Sequence, residues 1–152
     1  MTVTDEAQKV VISLPAKAEY VDIVRLNLYG VASKMGFSFE EIEDMKVAVS
    51  EACNNSVLYA YKHDQGNMEV TFDIIADELQ ITVRDEGESF DAWGKAAGRT
   101  GLHDKDLEDA QIGGLGFYLM QALMDNVSVE SESGRGTKVV MSRRLIPSEE
   151  RV

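Results

Sequence analysis

The sequence predicts an α/β two-layer sandwich of the α+β kind, with helices on one face of a mixed or antiparallel sheet. The chain has 152 residues, the length of one ordinary domain. Its apolar positions alternate in some segments and recur at helical spacing in others. The resulting order is strand, two helices, two strands, a long irregular segment, a helix and two strands. We therefore expect one domain over residues 1–152, with a short tail from about residue 147 to 152.

The first strand and helix are marked by proline and glycine. Residues 8–14 are typical of a short strand that stops at Pro15. From residue 16 to about residue 34, the apolar positions recur at helical spacing, and Gly36 is a typical helix end. We therefore expect a short strand followed by an amphipathic helix.

The second helix carries a polar pair in its middle. Ser38 and Glu41 form an S-x-x-E capping box, which predicts a helix from there to about Lys62. Glu51 and Asn55 lie one turn apart and point the same way. Their neighbours are apolar, a pattern typical of a helix buried on more than one side. The two polar side chains could therefore act on one ligand.

The remaining elements follow from alternation and turn residues. Two strands joined by a short hairpin turn are followed by an irregular stretch, then a helix that begins in a glycine cluster, and a final hairpin. The predicted ranges are 68–76, 79–85, 86–112, 113–125, 126–132 and 136–145.

Charge and composition exclude several classes. The formal net charge is −12, which argues against binding nucleic acid or an anionic membrane surface. The N-terminus has no signal-peptide pattern, and no apolar stretch is long enough to span a bilayer. The single cysteine, Cys53, fits a reducing compartment, so we expect a cytoplasmic protein. An acidic protein that binds phosphates needs backbone N–H groups, a helix N-terminus or a divalent cation.

Four short stretches could supply a nucleotide site, although each alone also fits an ordinary structural role. The amide oxygen of Asn55 suits Mg²⁺, and Glu51 could accept a proton nearby. Asp85, at a strand end before Gly87, could recognise an exocyclic amine such as that of adenine. The glycines that begin the third helix, Gly114 and Gly116, would expose N–H groups to an anion. Thr137 follows a glycine turn at the start of the last strand.

The order of these stretches resembles the N box and the three glycine boxes of the GHKL (Bergerat-fold) ATPases. The segments PAKAEYVDIVRLNLYGVASKMGFSFEEIEDMKVAVSEACNNSV, DEGESFD and GGLGFYLMQALMD resemble, more closely, the anti-sigma-B factor serine kinases of the RsbW type. The resemblance covers nearly the whole chain.

The resemblance implies a role for each matching residue. Glu51 would be the general base that takes the proton of a substrate serine, and Asn55 would hold Mg²⁺. Asp85 would bind the adenine amino group beside Gly87, with support from Thr137. The remaining implied phosphate ligands are the N–H groups of Gly114 and Gly116.

The chain departs from the family pattern at two positions. Ser89 replaces the second glycine of D-x-G-x-G, and Ile112 stands where some relatives carry an arginine before the glycines. Residues 91–112 would be the ATP lid. Three basic residues of the lid are candidates for contact with the γ-phosphate: Lys95, Arg99 and Lys105.

The resemblance also implies partners. The family sequesters a sigma factor, phosphorylates a serine of a STAS-type anti-anti-sigma protein, and forms homodimers; Arg25 matches a partner-contact position. Two alternatives remain: a detached histidine-kinase-like ATP domain, and an ATP-binding regulatory module without phosphotransfer. Glu51 favours serine transfer, because histidine kinases usually carry asparagine there.

Overall fold

The computed structural model describes residues 7–60, 66–87, 115–132 and 136–146. Within them lie five strands and three α-helices in the predicted order. The elements are β1 (Gln8–Pro15), α1 (Val21–Met35), α2 (Phe39–Asn55), β2 (Asn67–Ile75), β3 (Glu78–Asp85), α3 (Leu115–Leu123), β4 (Asn126–Glu132) and β5 (Gly136–Arg144). The predicted lid and the tail from residue 147 lie outside the described residues.

The predicted boundary of α1 is confirmed at its C-terminal end and shifted at its N-terminal end. Gly36 ends α1 in the left-handed conformation, with φ of 105°. The helix begins later than residue 16, because the N–H of Ala16 donates to the carbonyl of Gly66 at 2.9 Å and keeps that residue with the sheet. A 3₁₀ turn, Ala18–Tyr20, then leads into α1.

Helix α2 starts as predicted, and a π-helical turn follows its last residue. The capping box is present, with the N–H of Glu41 donating to Ser38 Oγ and the N–H of Ser38 donating to Glu41 Oε1. After Asn55 the chain continues as a π-helical turn, Ser56–Ala60. Such turns accommodate one extra residue and occur often at functional sites.

The sheet has the strand order β1-β2-β3-β5-β4, and every pairing among these strands is antiparallel. The register aligns residues in rungs across the sheet. One terminal rung, on the face that bears the helices, consists of Leu14, Met68, Asp85, Thr137 and Ser131. We call it the site rung, because it brings two predicted site residues side by side.

The helices cover one face of the sheet, and α2 lies between α1 and α3. The core includes Val24, Leu28, Val49, Phe72 and Met141, all buried. Apolar burial of this kind is the main contribution to stability. Among the described residues, no helix is both long and apolar enough to cross a membrane.

The prediction that α2 is buried on more than one side needs one correction. Its neighbours Ala48, Val49 and Cys53 are buried, but Val47 and Leu58 are 44% and 60% exposed. Helix α2 has helices on both flanks and the sheet beneath it, so Val47 on α2 and Leu58 in the turn that follows are on the side left open to solvent.

Candidate functional site

The polar pair of α2 lies at its C-terminal end. The side-chain Nδ2 of Asn55 donates to the backbone carbonyl of Glu51 at 2.9 Å. This bond orients the amide and leaves its oxygen for another partner. Asn55 is 8% exposed, and its Oδ1 is the buried side-chain polar atom for which no hydrogen-bond partner exists among the described residues. An unsatisfied buried acceptor costs stability, so this oxygen is a candidate for contact with a ligand.

A glycine lets the first turn of α3 approach this pair. A Cβ atom added to Gly116 would lie 2.9 Å from Glu51 Oε2 and 3.7 Å from Asn55 Nδ2. A side chain at position 116 would therefore clash with Glu51 in its present position. The N-terminal turn of a helix carries N–H groups without intrahelical partners, so the first turn of α3 could present anion-binding groups to a ligand beside Glu51 and Asn55. Gly114, predicted to act beside Gly116, lies outside the described residues.

Glu51 is half-buried, and this burial raises the pKa of its carboxyl group. Burial disfavours the charged form of an acid, so the carboxylate becomes a stronger base than an exposed glutamate. A base near a helix N-terminus and an amide oxygen could take a proton from a hydroxyl group while anionic groups are held nearby.

The second group of residues centres on Asp85, which is 5% exposed at the end of β3. Its Oδ2 accepts a hydrogen bond from Ser56 Oγ at 2.8 Å, and its Oδ1 accepts one from the N–H of Gly87 at 3.2 Å. Burial raises the pKa of Asp85, while hydrogen bonds from Ser56, Gly87 and the backbone of Thr137 act in the opposite direction. Asp85 is thus a buried acid surrounded by donors.

Thr137 pairs with Asp85 across the sheet and lies within 3.3 Å, Oγ1 to Oγ, of Ser131. The residue before it, Gly136, has φ of 90°, and a Cβ atom there would lie 2.1 Å from the carbonyl oxygen of Asp85. Only glycine fits this conformation and this space. Gly136 therefore permits the start of β5 to lie against the end of β3.

A polar cavity of about 650 Å³ opens at this end of the sheet. Its lining includes Asp85, Ser131, Gly136 and Thr137. Its other lining residues are Val129 and charged residues of the neighbouring strands, so the cavity has the volume for a small-molecule ligand and offers it mainly polar contacts.

The predicted site residues thus form two groups. Glu51, Asn55 and Gly116 lie together in what we call the amide end, and Asp85, Gly87 and Thr137 in what we call the carboxylate end. The two ends meet where Asn55 is followed by Ser56, at the start of the π turn. Sequence reasoning missed Ser56 and Gly136. The G-T pair at residues 136–137 was the one signal for Gly136.

Arg25, the predicted partner contact, belongs to neither end. Its Nε donates to Ser50 Oγ at 2.8 Å, and its guanidinium pairs with Asp22 on the same helix. Ser50 in turn donates to the carbonyl of Lys46 at 2.6 Å. Arg25 therefore joins α1 to α2 through a side chain that precedes Glu51.

Comparisons with known proteins identify the family of this chain. Residues 14–143 match the family described as the histidine kinase-like ATPase domain. The serine-protein kinase RsbW of Bacillus licheniformis is 50% identical over 123 residues, which make up 79% of this chain and 76% of that protein. The serine-protein kinase RsbW of Bacillus subtilis (strain 168) is 46% identical over 145 residues, with 93% and 88% of the two chains covered.

A solved structure has the same fold. The RsbU and RsbW domains of Rv1364c from Mycobacterium tuberculosis superpose with a TM-score of 0.66 at 21% identity, over 91% of this chain and 32% of that longer chain. The chain therefore belongs to the histidine kinase-like ATPase domain family and, within it, to the RsbW family of serine-protein kinases.

Proposed function

We propose that this protein is an anti-sigma factor of the sigma-B type that also phosphorylates a serine of its STAS-type anti-anti-sigma antagonist, with ATP and Mg²⁺. One observation carries the proposal: Glu51 and Asn55 lie against the first turn of α3 at Gly116, and Asn55 Oδ1 is buried without a partner among the described residues. This is a place for a cation and phosphates beside a base.

The residues fit the two groups that the activity requires. Asn55 Oδ1 is an oxygen ligand of the kind that Mg²⁺ prefers, while Asp85 and Thr137 line a cavity large enough for a nucleobase. Bound ATP would supply the phosphoryl group, and Mg²⁺ would neutralise part of its charge. The N-terminus of α3 adds positive potential at the phosphate site. A protein with a net charge of −12 otherwise offers the phosphates little positive charge.

In this mechanism each residue has one task. Asp85 binds the adenine amino group, Gly87 leaves room for the ring, and Thr137 supports the base-binding side. Glu51 orients the incoming serine hydroxyl and accepts its proton. Gly116 keeps the α3 N–H groups close to the phosphates, with Gly114 and a lid cation as further predicted contributors.

The partner surfaces are proposed on α1 and β1. Arg25 would contact a protein partner. An apolar groove of about 720 Å³ between α1 and the edge strand β1, lined in part by Val10 and Leu26, would take part in a homodimer. An edge strand with exposed apolar residues is a usual place for association of two copies. Sedimentation equilibrium should show a dimer that Leu26→Glu converts to a monomer.

The acidic surface supports attraction of a sigma factor, since nucleic-acid-binding proteins carry basic patches. Association should then weaken as salt concentration rises. A sigma factor captured equally well at low and high salt would contradict electrostatic steering. These activities would take place in the cytoplasm, consistent with the buried free thiol of Cys53.

The decisive experiment is incubation with γ-labelled ATP, Mg²⁺ and an extract of the source cells. Acid-stable label on a small protein identifies a serine or threonine kinase and its substrate. Acid-labile label supports the histidine-kinase alternative. Measured ATP binding without any label supports a regulatory module and contradicts the kinase.

A further inference from the structure

Ser56 has a contact that the roles above do not use. Its hydroxyl is 3% exposed and lies 2.8 Å from Asp85 Oδ2, although 29 residues separate the two in sequence. The acceptor is a carboxylate, so this is a charge-assisted hydrogen bond, stronger than one between neutral groups. It joins the start of the π turn to the end of β3.

The backbone explains why Ser56 can reach Asp85. Asn55 ends α2 and faces Glu51, while Ser56 begins the π turn and comes next in the chain. Successive residues of a helix point about 100° apart. Asn55 can therefore serve the amide end while Ser56 serves the carboxylate end.

The contacts of Asp85 limit what its side chain can do. Oδ2 accepts from Ser56 and Oδ1 accepts from Gly87 N–H, so both oxygens are held as acceptors. A carboxylate in this state can accept from an amino group and repels an oxo group. A protonated carboxyl group could instead donate to an oxo group.

We propose that Ser56 is a positioning residue that keeps Asp85 an acceptor, so that the site selects a purine with a 6-amino group over one with a 6-oxo group. This rests on the proposed function, because it assumes that Asp85 meets the base of a nucleoside triphosphate. Ser56 itself need not touch the nucleotide.

Other charges do not account for this state. Among the described residues, the pKa of Asp85 is affected by burial and by three hydrogen-bond donors, without a contribution from another charged side chain. The site rung holds no further titratable group. The charged residues on the packed elements are exposed or half-exposed: Glu51, Glu69, Arg84, Glu86, Glu130 and Lys138. Of the three donors, Ser56 is the one that donates from its side chain, so a substitution can remove it and test its effect on Asp85.

The test compares Ser56→Ala and the near-isosteric weak donor Ser56→Cys with wild type. Titration calorimetry would give affinities for ATP, GTP and ITP across pH. We expect Ser56→Ala to bind ATP about ten-fold more weakly at neutral pH, as expected for loss of a hydrogen bond to a charged group. Its preference for ATP over ITP should shrink, and the pH below which ATP binding is lost should rise. The ATP affinity and base preference of Ser56→Cys should lie between those of wild type and those of Ser56→Ala.

Ser142→Ala is the matched control, because Ser142 is also a buried serine but lies at the other end of the sheet. It should bind all three nucleotides like wild type. If Ser56→Ala does not fold, as judged by circular dichroism, Ser56→Cys carries the test.

The outcomes are distinct. A uniform loss of affinity without a change in base preference or pH profile would overturn the proposal, as would wild-type behaviour of both Ser56 variants. Wild-type protein that binds no ATP would overturn the proposed function itself. ATP binding by wild type with unchanged Ser56 variants would leave that function standing and remove only the positioning role.

Discussion

The two ends of the site differ in how fully their polar groups are satisfied. At the carboxylate end, Asp85 has donors on both oxygens and Thr137 lies beside Ser131. At the amide end, Asn55 Oδ1 is buried without a partner among the described residues. In the proposed function, the first end would recognise the base and the second would keep bonding capacity for the reaction. The comparison separates residues that select a ligand from residues that act on it.

The strongest test of this separation is Glu51→Gln. We expect phosphotransfer to fall by about 10²–10⁴-fold, the usual contribution of a general base, because glutamine cannot accept the proton. ATP affinity should change little, since Asn55, the first turn of α3 and the carboxylate end all remain. Single-turnover labelling and calorimetry measure the two quantities. Glu43→Gln is the control, as Glu43 lies on the same helix and pairs with Lys46 at 2.7 Å. Loss of ATP binding together with activity would make Glu51 structural.

The reciprocal change is Asp85→Asn. It removes the acceptor that Ser56 and Gly87 hold, and places an amide N–H₂ among donors. ATP binding should weaken by about 2–3 kcal/mol, the scale of a hydrogen bond to a charged group, or roughly 100-fold. Residual activity at saturating ATP should keep its dependence on Glu51. Unchanged affinity in this variant would exclude Asp85 from base recognition.

The glycine at each end of the site should also differ in its effect on stability when it is replaced by alanine. Gly136→Ala should lower the free energy of unfolding by about 2–4 kcal/mol, because its Cβ meets the backbone oxygen of Asp85 and its φ is positive. Gly116→Ala should change it by less than about 1 kcal/mol, since alanine favours a helix and the atom it meets is the mobile end of Glu51. Phosphotransfer should nevertheless fall in Gly116→Ala. Denaturant unfolding that ranks the two in reverse would contradict this account.

The smallest expected effect concerns pH. Burial raises the pKa of Asp85, so between its unfolded and folded pKa values the folded state binds more protons. The free energy of unfolding that Asp85 contributes therefore falls as pH rises through this window. ATP binding needs the carboxylate and changes in the opposite direction. Asp85→Asn should gain stability relative to wild type as pH rises, measured by urea unfolding. A difference independent of pH would contradict the direction of the shift.

Local chemistry explains what could be predicted from the sequence. The capping box at Ser38 and the end of α1 at Gly36 depend on residues within one turn, so both were predictable. The pairing of Ser56 with Asp85 was not, because it depends on how the π turn packs on β3. The strand order likewise depends on contacts across the whole chain. The starts of α3 and β5 were marked by glycines, but the close approaches that require them appear only in the fold.

The π turn has one more consequence, which concerns rotation. Asn55 ends α2 and Ser56 begins the π turn, so one continuous helical segment holds both ends of the site. A rotation of α2 by about 20° would move atoms at a radius of about 5 Å by roughly 1.7 Å. That is enough to break the bond from Ser56 to Asp85. A rotation of α2 that moves Asn55 would therefore also strain the contact between Ser56 and Asp85, which couples the two ends of the site.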